Sequence, residues 1–290
     1  MMRLTGLTDI FRGSDVYQTL LSHLRQNNTS PVSAGLIRSA RPALLGALAE
    51  DWGAPIVFIT GRIKYAHTVA EQLPVWLSTD LPIARFAEPT PQFYERIAWG
   101  ETVIHNRIQT LSMLLDDTQP RSVVVSSARA FMTRTLPPIQ FRQNCLTIRK
   151  RDRYAQDKLL KLWTDMGYSY APMVLAMGTY SRRGGVVDIF PVGADNPVRI
   201  EFFDDEIDTM RPFDPATQRS EGQINAVFIP PAREAMPQYA PSVAHRLKDW
   251  FSSLPPVNED TTTASADFSV LESGGASAYL EHYLPFITQN

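Results

Sequence analysis

Cysteine is almost absent. Cys145 is the single thiol in 290 residues, so no internal disulfide can form and the chain suits a reducing cytoplasm. Its neighbours Asn144, Leu146, Thr147 and Ile148 favour a packed small hydrophobe over a nucleophile. A charge excess is lacking too. Twenty-eight basic against 30 acidic side chains leave a net charge of −2, without the basic surplus that draws a whole domain to nucleic acid. No apolar run reaches the ~20 residues a membrane helix needs. The opening MMRLTGLTDIFRG has neither an apolar core nor a small-residue cleavage site, so no secretory signal is read there. The five histidines, His23, His67, His105, His245 and His282, are scattered, and with one cysteine they assemble no zinc spacing. Neither G-x-S-x-G nor a glycine-rich dinucleotide fingerprint occurs. Nothing here supports catalysis, and neither a metal nor a cofactor is expected.

What is present is an ordinary globular composition, 44% hydrophobic and 20% charged, long enough for two domains. The 22 prolines point to many loops and turns. Over the first 140 residues, helical and strand-like segments alternate, the pattern of a parallel α/β sheet. Helices are expected at 15–25 and 42–51. Pro55–Thr60 reads as a strand buried on both faces. A helix follows through Gln72, with Ala66, Val69 and Leu73 at helical spacing. Further on come a helix at 104–115, a buried strand at 122–126 and a helix from Ala128. From Gln143 the character changes to α+β with antiparallel hairpins. A strand at 145–148 precedes a helix at 154–166 with Gly167 as its C-cap. Strands are then expected near 176–182, 186–190, 198–203 and 224–229. Pro230-Pro231 ends the unit. A helix at 241–251 leads to a polar segment, 252–267, read as a mobile loop, and the apolar stretch 279–287 is expected to dock back.

Four motifs carry chemistry. Gly35-Leu-Ile-Arg-Ser-Ala40-Arg41-Pro42 keeps the spacing of a P-loop, but Ala40, Arg41 and Pro42 stand where glycine, lysine and a Mg²⁺-holding hydroxyl are required. ATP hydrolysis is therefore not expected. Asp205-Glu206-Ile207-Asp208 matches a DExD box only superficially and reads as a solvated acidic turn. The dense basic run Arg149, Lys150, Arg151 and Arg153 is a candidate for DNA contact, or a solvated approach to the next helix. In Val198–Phe203, alternation puts Val198, Ile200 and Phe202 on one face and Arg199, Glu201 and Phe203 on the other. An aromatic ring beside an arginine suits a protein-docking surface; the other reading is that Phe203 folds under a neighbouring loop.

Three stretches then resemble a known family: Arg183-Gly184-x-x-x-Asp188-x-Phe190-Pro191, Arg199-x-x-Phe202-Phe203-Asp204-x-Glu206-Ile207, and Phe213-Asp214-x-x-x-Gln218-Arg219. They look like the second domain shared by the excision-repair helicase UvrB and the transcription-repair coupling factors. UvrB would show an intact P-loop and a long tyrosine-rich hairpin. The degenerate Ala40-Arg41-Pro42, the short Phe93-Tyr94-Glu95-Arg96 with the 105–111 segment, and Gly275 to Phe286 are instead similar to the coupling factors.

The resemblance implies a RecA/helicase-like parallel-sheet α/β domain with a degenerate P-loop, plus an inserted α+β domain with antiparallel strands. It implies three parts: 1–142 (UvrB domain 1a-like), 143–231 (UvrB domain 2-like, UvrA-binding) and 232–290 (UvrB domain 1b-like, packing back on the first domain). The implied function is a non-catalytic adaptor that binds UvrA through Arg183, Arg199 and Phe203 and recruits nucleotide excision repair to stalled RNA polymerase. RNA polymerase and DNA are partners of the full-length protein; the chain itself is expected as a cytoplasmic monomer without membrane contact. It is expected to be an N-terminal piece or the product of a truncated reading frame. The alternative is a UvrB-like ATP-dependent damaged-DNA-binding protein. Alanine at Arg199 or Phe203 is expected to abolish UvrA binding and leave the thermal melt unchanged.

Overall fold

The computed structural model describes residues 3–26, 30–91, 95, 97–116, 118, 120–253, 268–273 and 279–288. The polar stretch read as a mobile loop lies outside the described residues from 254 to 267, as do 92–94, 96 and 274–278 in the segments compared above. The chain divides into two compact units, Met1–Glu88 with Thr110–Thr133, and Pro89–Gln109 with Arg134–Asn290.

In the first unit, helices α1 (Thr5–Arg12), α2 (Asp15–Arg25) and α3 (Arg41–Asp51) precede β1 (Ile56–Thr60), α4 (Ile63–Trp76) and β2 (Ile83–Phe86). The end of α5 (Glu101–Leu114), β3 (Val123–Ser127) and α6 (Ala128–Met132) complete it. The sheet order is β1-β3-β2 and both pairings are parallel, so the alternation in the sequence did encode a parallel sheet. α4 explains the core: Tyr65, Ala66, Val69 and Leu73 recur at helical spacing and pack with Leu45, Val123 and Val125. α3 crosses α4 so closely that a Cβ on Gly46 would lie 2.9 Å from the Trp76 Cβ. The ends of α1 and α2 are tied to α3 by Arg12, which binds Glu50 and Asp51, and by the Tyr17 hydroxyl, which donates to Asp51 at 2.6 Å. One expectation fails here. β1 is an edge strand, α4 covers only the face on which Phe58 meets Tyr65, and Val57 and Ile59 on the alternate face are exposed.

The second unit contains α7 (Pro138–Gln143), β4 (Leu146–Arg149), α8 (Gln156–Asp165) and the strands β5 (Ser169–Tyr170), β6 (Thr179–Arg183), β7 (Val186–Ile189), β8 (Val198–Phe203) and β9 (Glu206–Pro212). It continues with β10 (Ala226–Ile229), α9 (Ala240–Ser252), a helical turn at 268–272 and α10 (Leu284–Ile287). Strands β5 to β9 form one sheet in chain order; β5 pairs with β6 in parallel and the rest are antiparallel. β4 pairs antiparallel with β10. Val187, Ile189, Val198, Ile200 and Met210 line one face of the five-stranded sheet and are buried. Trp163 of α8 packs on Tyr180 at the same face, ring centroids 5.9 Å apart. Gly167 closes α8 at φ +94°, a left-handed conformation that suits glycine. At the chain end Leu280, Leu284 and Ile287 are buried, and Glu281 accepts from Nε and Nη2 of Arg233.

The acidic turn needs a correction. Only Asp204 and Asp205 turn; Glu206 to Asp208 begin β9, because Ile207 is fully buried opposite Phe202. An apolar residue inside an acidic run was enough to continue the hairpin. Among the described residues no helix is long and apolar enough to cross a membrane.

Candidate protein-docking face

In an antiparallel sheet, residues directly opposite one another project to the same face. The register therefore decides which side chains meet. Ser181, Asp188, Arg199 and Arg211 form one row across β6, β7, β8 and β9; Arg183, Val186, Glu201 and Thr209 form the next row on the same face. A register shift between Glu201 and Phe202 absorbs Asp208 in β9, and Phe203 then stands opposite Glu206. Alternation along β8 returns Phe203 to the face of Arg199 and Glu201. The structure thus brings Arg183, Arg199 and Phe203 to one face, with Arg183 and Phe203 at the end of the sheet where the β6–β7 and β8–β9 turns lie and Arg199 four residues back along β8.

The three differ in how they are held. Phe203 is 80% exposed, so of the two sequence readings it is the outward one that holds. Arg183 is exposed at the strand end, beside Gly184 at φ +61°, and its Nη2 donates to the Pro172 carbonyl at 2.9 Å. Arg199 is half-buried. Its Nε and Nη2 donate to the two carboxylate oxygens of Asp188 at 2.8 and 2.9 Å. Its guanidinium carbon lies 4.7 Å from the centroid of the Phe213 ring. The hydrogen bond to Asp188 raises the Arg199 pKa above its ordinary value against the opposing effect of burial. Arg199 is therefore an internal brace as well as a surface cation, and a substitution there will disturb folding. For alanine at this position a lowered melt, rather than an unchanged one, is therefore the expectation.

Two features of the face were not read from the sequence. Asp188 is 4% exposed and depends on Arg199 for its neutralisation. The 171–178 loop lies against the same face: Val174 packs with Phe190 and Phe213, leaving Met173 and Leu175 outward. The VVDI alternation does put Asp188 out of phase with the core. Its pairing with Arg199, however, requires a register that no single strand contains.

The other candidates fall elsewhere. Arg149 ends β4, Lys150 donates its backbone N–H to the Asn225 carbonyl, Arg151 adopts φ +73°, and Arg153 bridges to Glu206; all four side chains are exposed. Gly35 lies in irregular exposed chain, Ala40 closes a 3₁₀ turn at Arg38–Ala40, and Arg41 and Pro42 open α3, with Pro42 buried. Cys145 is half-buried, its Sγ 3.3 Å from the Phe141 carbonyl, and burial pushes its pKa up to about 11.

Residues 146–234 match the family described as the UvrB interaction domain. The chain is 28% identical over 239 residues to the transcription-repair-coupling factor of Bacillus subtilis strain 168, covering 79% of this chain and 19% of that protein. For the Escherichia coli K12 protein of the same name the figures are 30% over 213 residues, 71% and 18%. For that of Staphylococcus aureus USA300 they are 26% over 298 residues, 97% and 24%. The matched stretch runs from β4 to β10 and so takes in the five-stranded sheet. Over most of its length the chain is similar to the N-terminal module of the transcription-repair-coupling factors, and the match spans about a fifth of the length of those relatives.

Proposed function

We propose that the chain is a non-catalytic adaptor that binds UvrA through the face bearing Arg183, Arg199 and Phe203. In the longer proteins it resembles, it would serve to recruit nucleotide excision repair to stalled RNA polymerase on DNA. The observation that carries this reading is Phe203. An aromatic ring 80% exposed at the end of a well-packed strand contributes nothing to the core, yet aromatic and arginine side chains dominate protein-docking hot spots at roughly 2 kcal/mol or more each. Arg183 lies on the same face at the same end of the sheet and Arg199 on that face further back along β8, and a guanidinium offers directional donors to a partner.

We read the first unit, with its parallel sheet, as a RecA-like domain whose P-loop has lost its chemistry, and 143–231 as the docking domain inserted after it. Pro42 supports this. It is buried in the first turn of α3, where proline fits and where a Mg²⁺-binding hydroxyl would be needed. The test is titration calorimetry with purified UvrA, comparing the wild-type chain with Phe203→Ala. Loss of binding with an unchanged melt supports the reading; binding at full strength refutes it. ATP with Mg²⁺ should leave the melting temperature unmoved, and a rise would favour a UvrB-like ATP-dependent protein instead.

A further inference from the structure

The basic run left over from the sequence lies against the turn that carries Phe203. Arg151 N–H donates to the Ile207 carbonyl at 2.9 Å, Ile207 N–H donates to the Asp152 carbonyl at 2.9 Å, and Tyr154 N–H donates to the Asp205 carbonyl at 2.8 Å. The segment 151–154 is in this way zipped to the outer edge of β9. Asp152 holds the loop from inside by accepting the Arg149 N–H at 2.7 Å. The φ of +73° at Arg151 is a conformation that non-glycine residues rarely adopt, and the bonds on either side hold it.

The pairing fixes direction as well as proximity. Glu206 stands opposite Phe203 on one side of β9 and opposite Arg153 on the other. Directly opposed antiparallel residues share a face, so Arg153, Glu206 and Phe203 form one row across the docking face. The Arg153 Nε lies 3.8 Å from a Glu206 carboxylate oxygen; the Arg153 side chain is largely open to solvent and that of Glu206 about half so.

We propose that Arg153, with Arg151 beside it, is the second basic flank of the Phe203 docking site, and that the partner surface facing it carries carboxylates around an apolar pocket. This rests on the reading of the face as the UvrA-binding surface. The local charge pattern argues for a protein and against nucleic acid. Asp204, Asp205, Glu206 and Asp208 surround the same turn, and a continuous line of phosphates would meet them all. A protein surface can match both signs residue by residue.

The test uses the full chain and purified UvrA, titrated at low and high salt, with Arg153→Glu, Arg153→Ala, Arg153→Lys and Phe203→Ala. Charge reversal at Arg153 is expected to weaken binding about tenfold or more at low salt, and by less at high salt. Arg153→Ala should show a smaller loss, and Arg153→Lys should restore most of the affinity. If Arg153→Glu and Arg153→Ala bind at wild-type strength while Phe203→Ala does not, the flank is refuted and the docking face stands. Full-strength binding by Phe203→Ala would instead refute the docking face itself. A parallel titration with duplex DNA completes the test: loss of DNA binding in Arg153→Glu with UvrA affinity intact overturns the proposal in favour of a nucleic-acid patch.

Discussion

Arg199 grips Asp188 through two hydrogen bonds of 2.8 and 2.9 Å and lies over the Phe213 ring. One side chain thus stitches β7 to β8 and caps the small cluster of Val174, Phe190 and Phe213. The same guanidinium belongs to the proposed docking face, so stability and binding are coupled at this residue. They separate at Phe203.

Arg199→Ala should therefore lower the unfolding free energy. It leaves Asp188, almost fully buried, without its countercharge, and removing one partner of such a pair costs about 2 to 4 kcal/mol. Urea denaturation with a double-mutant cycle through Asp188→Asn measures it. A single-mutant midpoint equal to wild type would show that the pair is not structural.

A second pair lies deeper. Arg107 is fully buried and Glu234 nearly so; their Nε–Oε1 distance is 2.5 Å, and Glu234 also accepts from the Thr135 hydroxyl and the Leu136 N–H. Glu234→Gln keeps the shape and removes the charge that neutralises Arg107. We expect about 3 kcal/mol of destabilisation, read as a lower urea midpoint, with UvrA affinity unaltered below the transition.

Much of this architecture was legible in the sequence, and the gaps have physical causes. β8 was bounded at Val198 and Phe203 by alternation alone, and β3 and α9 fell within a residue of their observed ends. β9 was missed because its acidic opening, Glu206 to Asp208, hides Ile207, whose burial depends on a neighbouring strand. β2 was missed because four residues, Ile83 to Phe86, leave too little pattern to read. For the site, parity along one strand put Arg199 and Phe203 together. The Asp188 clamp and the row joining Arg153 to Phe203 arise from register between strands, which period-2 patterning does not encode.

Gly46→Ala tests the packing of α3 on α4. The added methyl would meet the Trp76 Cβ at 2.9 Å, and such overpacking costs about 1 to 3 kcal/mol. Helix propensity favours alanine by up to about 1 kcal/mol, so a net loss in the melting temperature would show that the close approach dominates. A gain would show that the helices can part without penalty.

Cys145 gives a pH dependence. Burial raises the folded thiol from 9.0 to about 11, so the unfolded chain releases this proton first. The stability this group contributes is full below about pH 9 and declines as pH rises toward 11. Labelling with a thiol-reactive disulfide should accordingly be slow at pH 8 and fast once urea unfolds the chain. Equal rates in both states would contradict the burial.

The most direct measurement is the affinity of purified UvrA for the Phe203→Ala chain, taken with its melting curve. The account predicts a loss of about 2 kcal/mol or more in binding, with a melt equal to wild type because the ring is 80% exposed. UvrA binding at wild-type strength would contradict it.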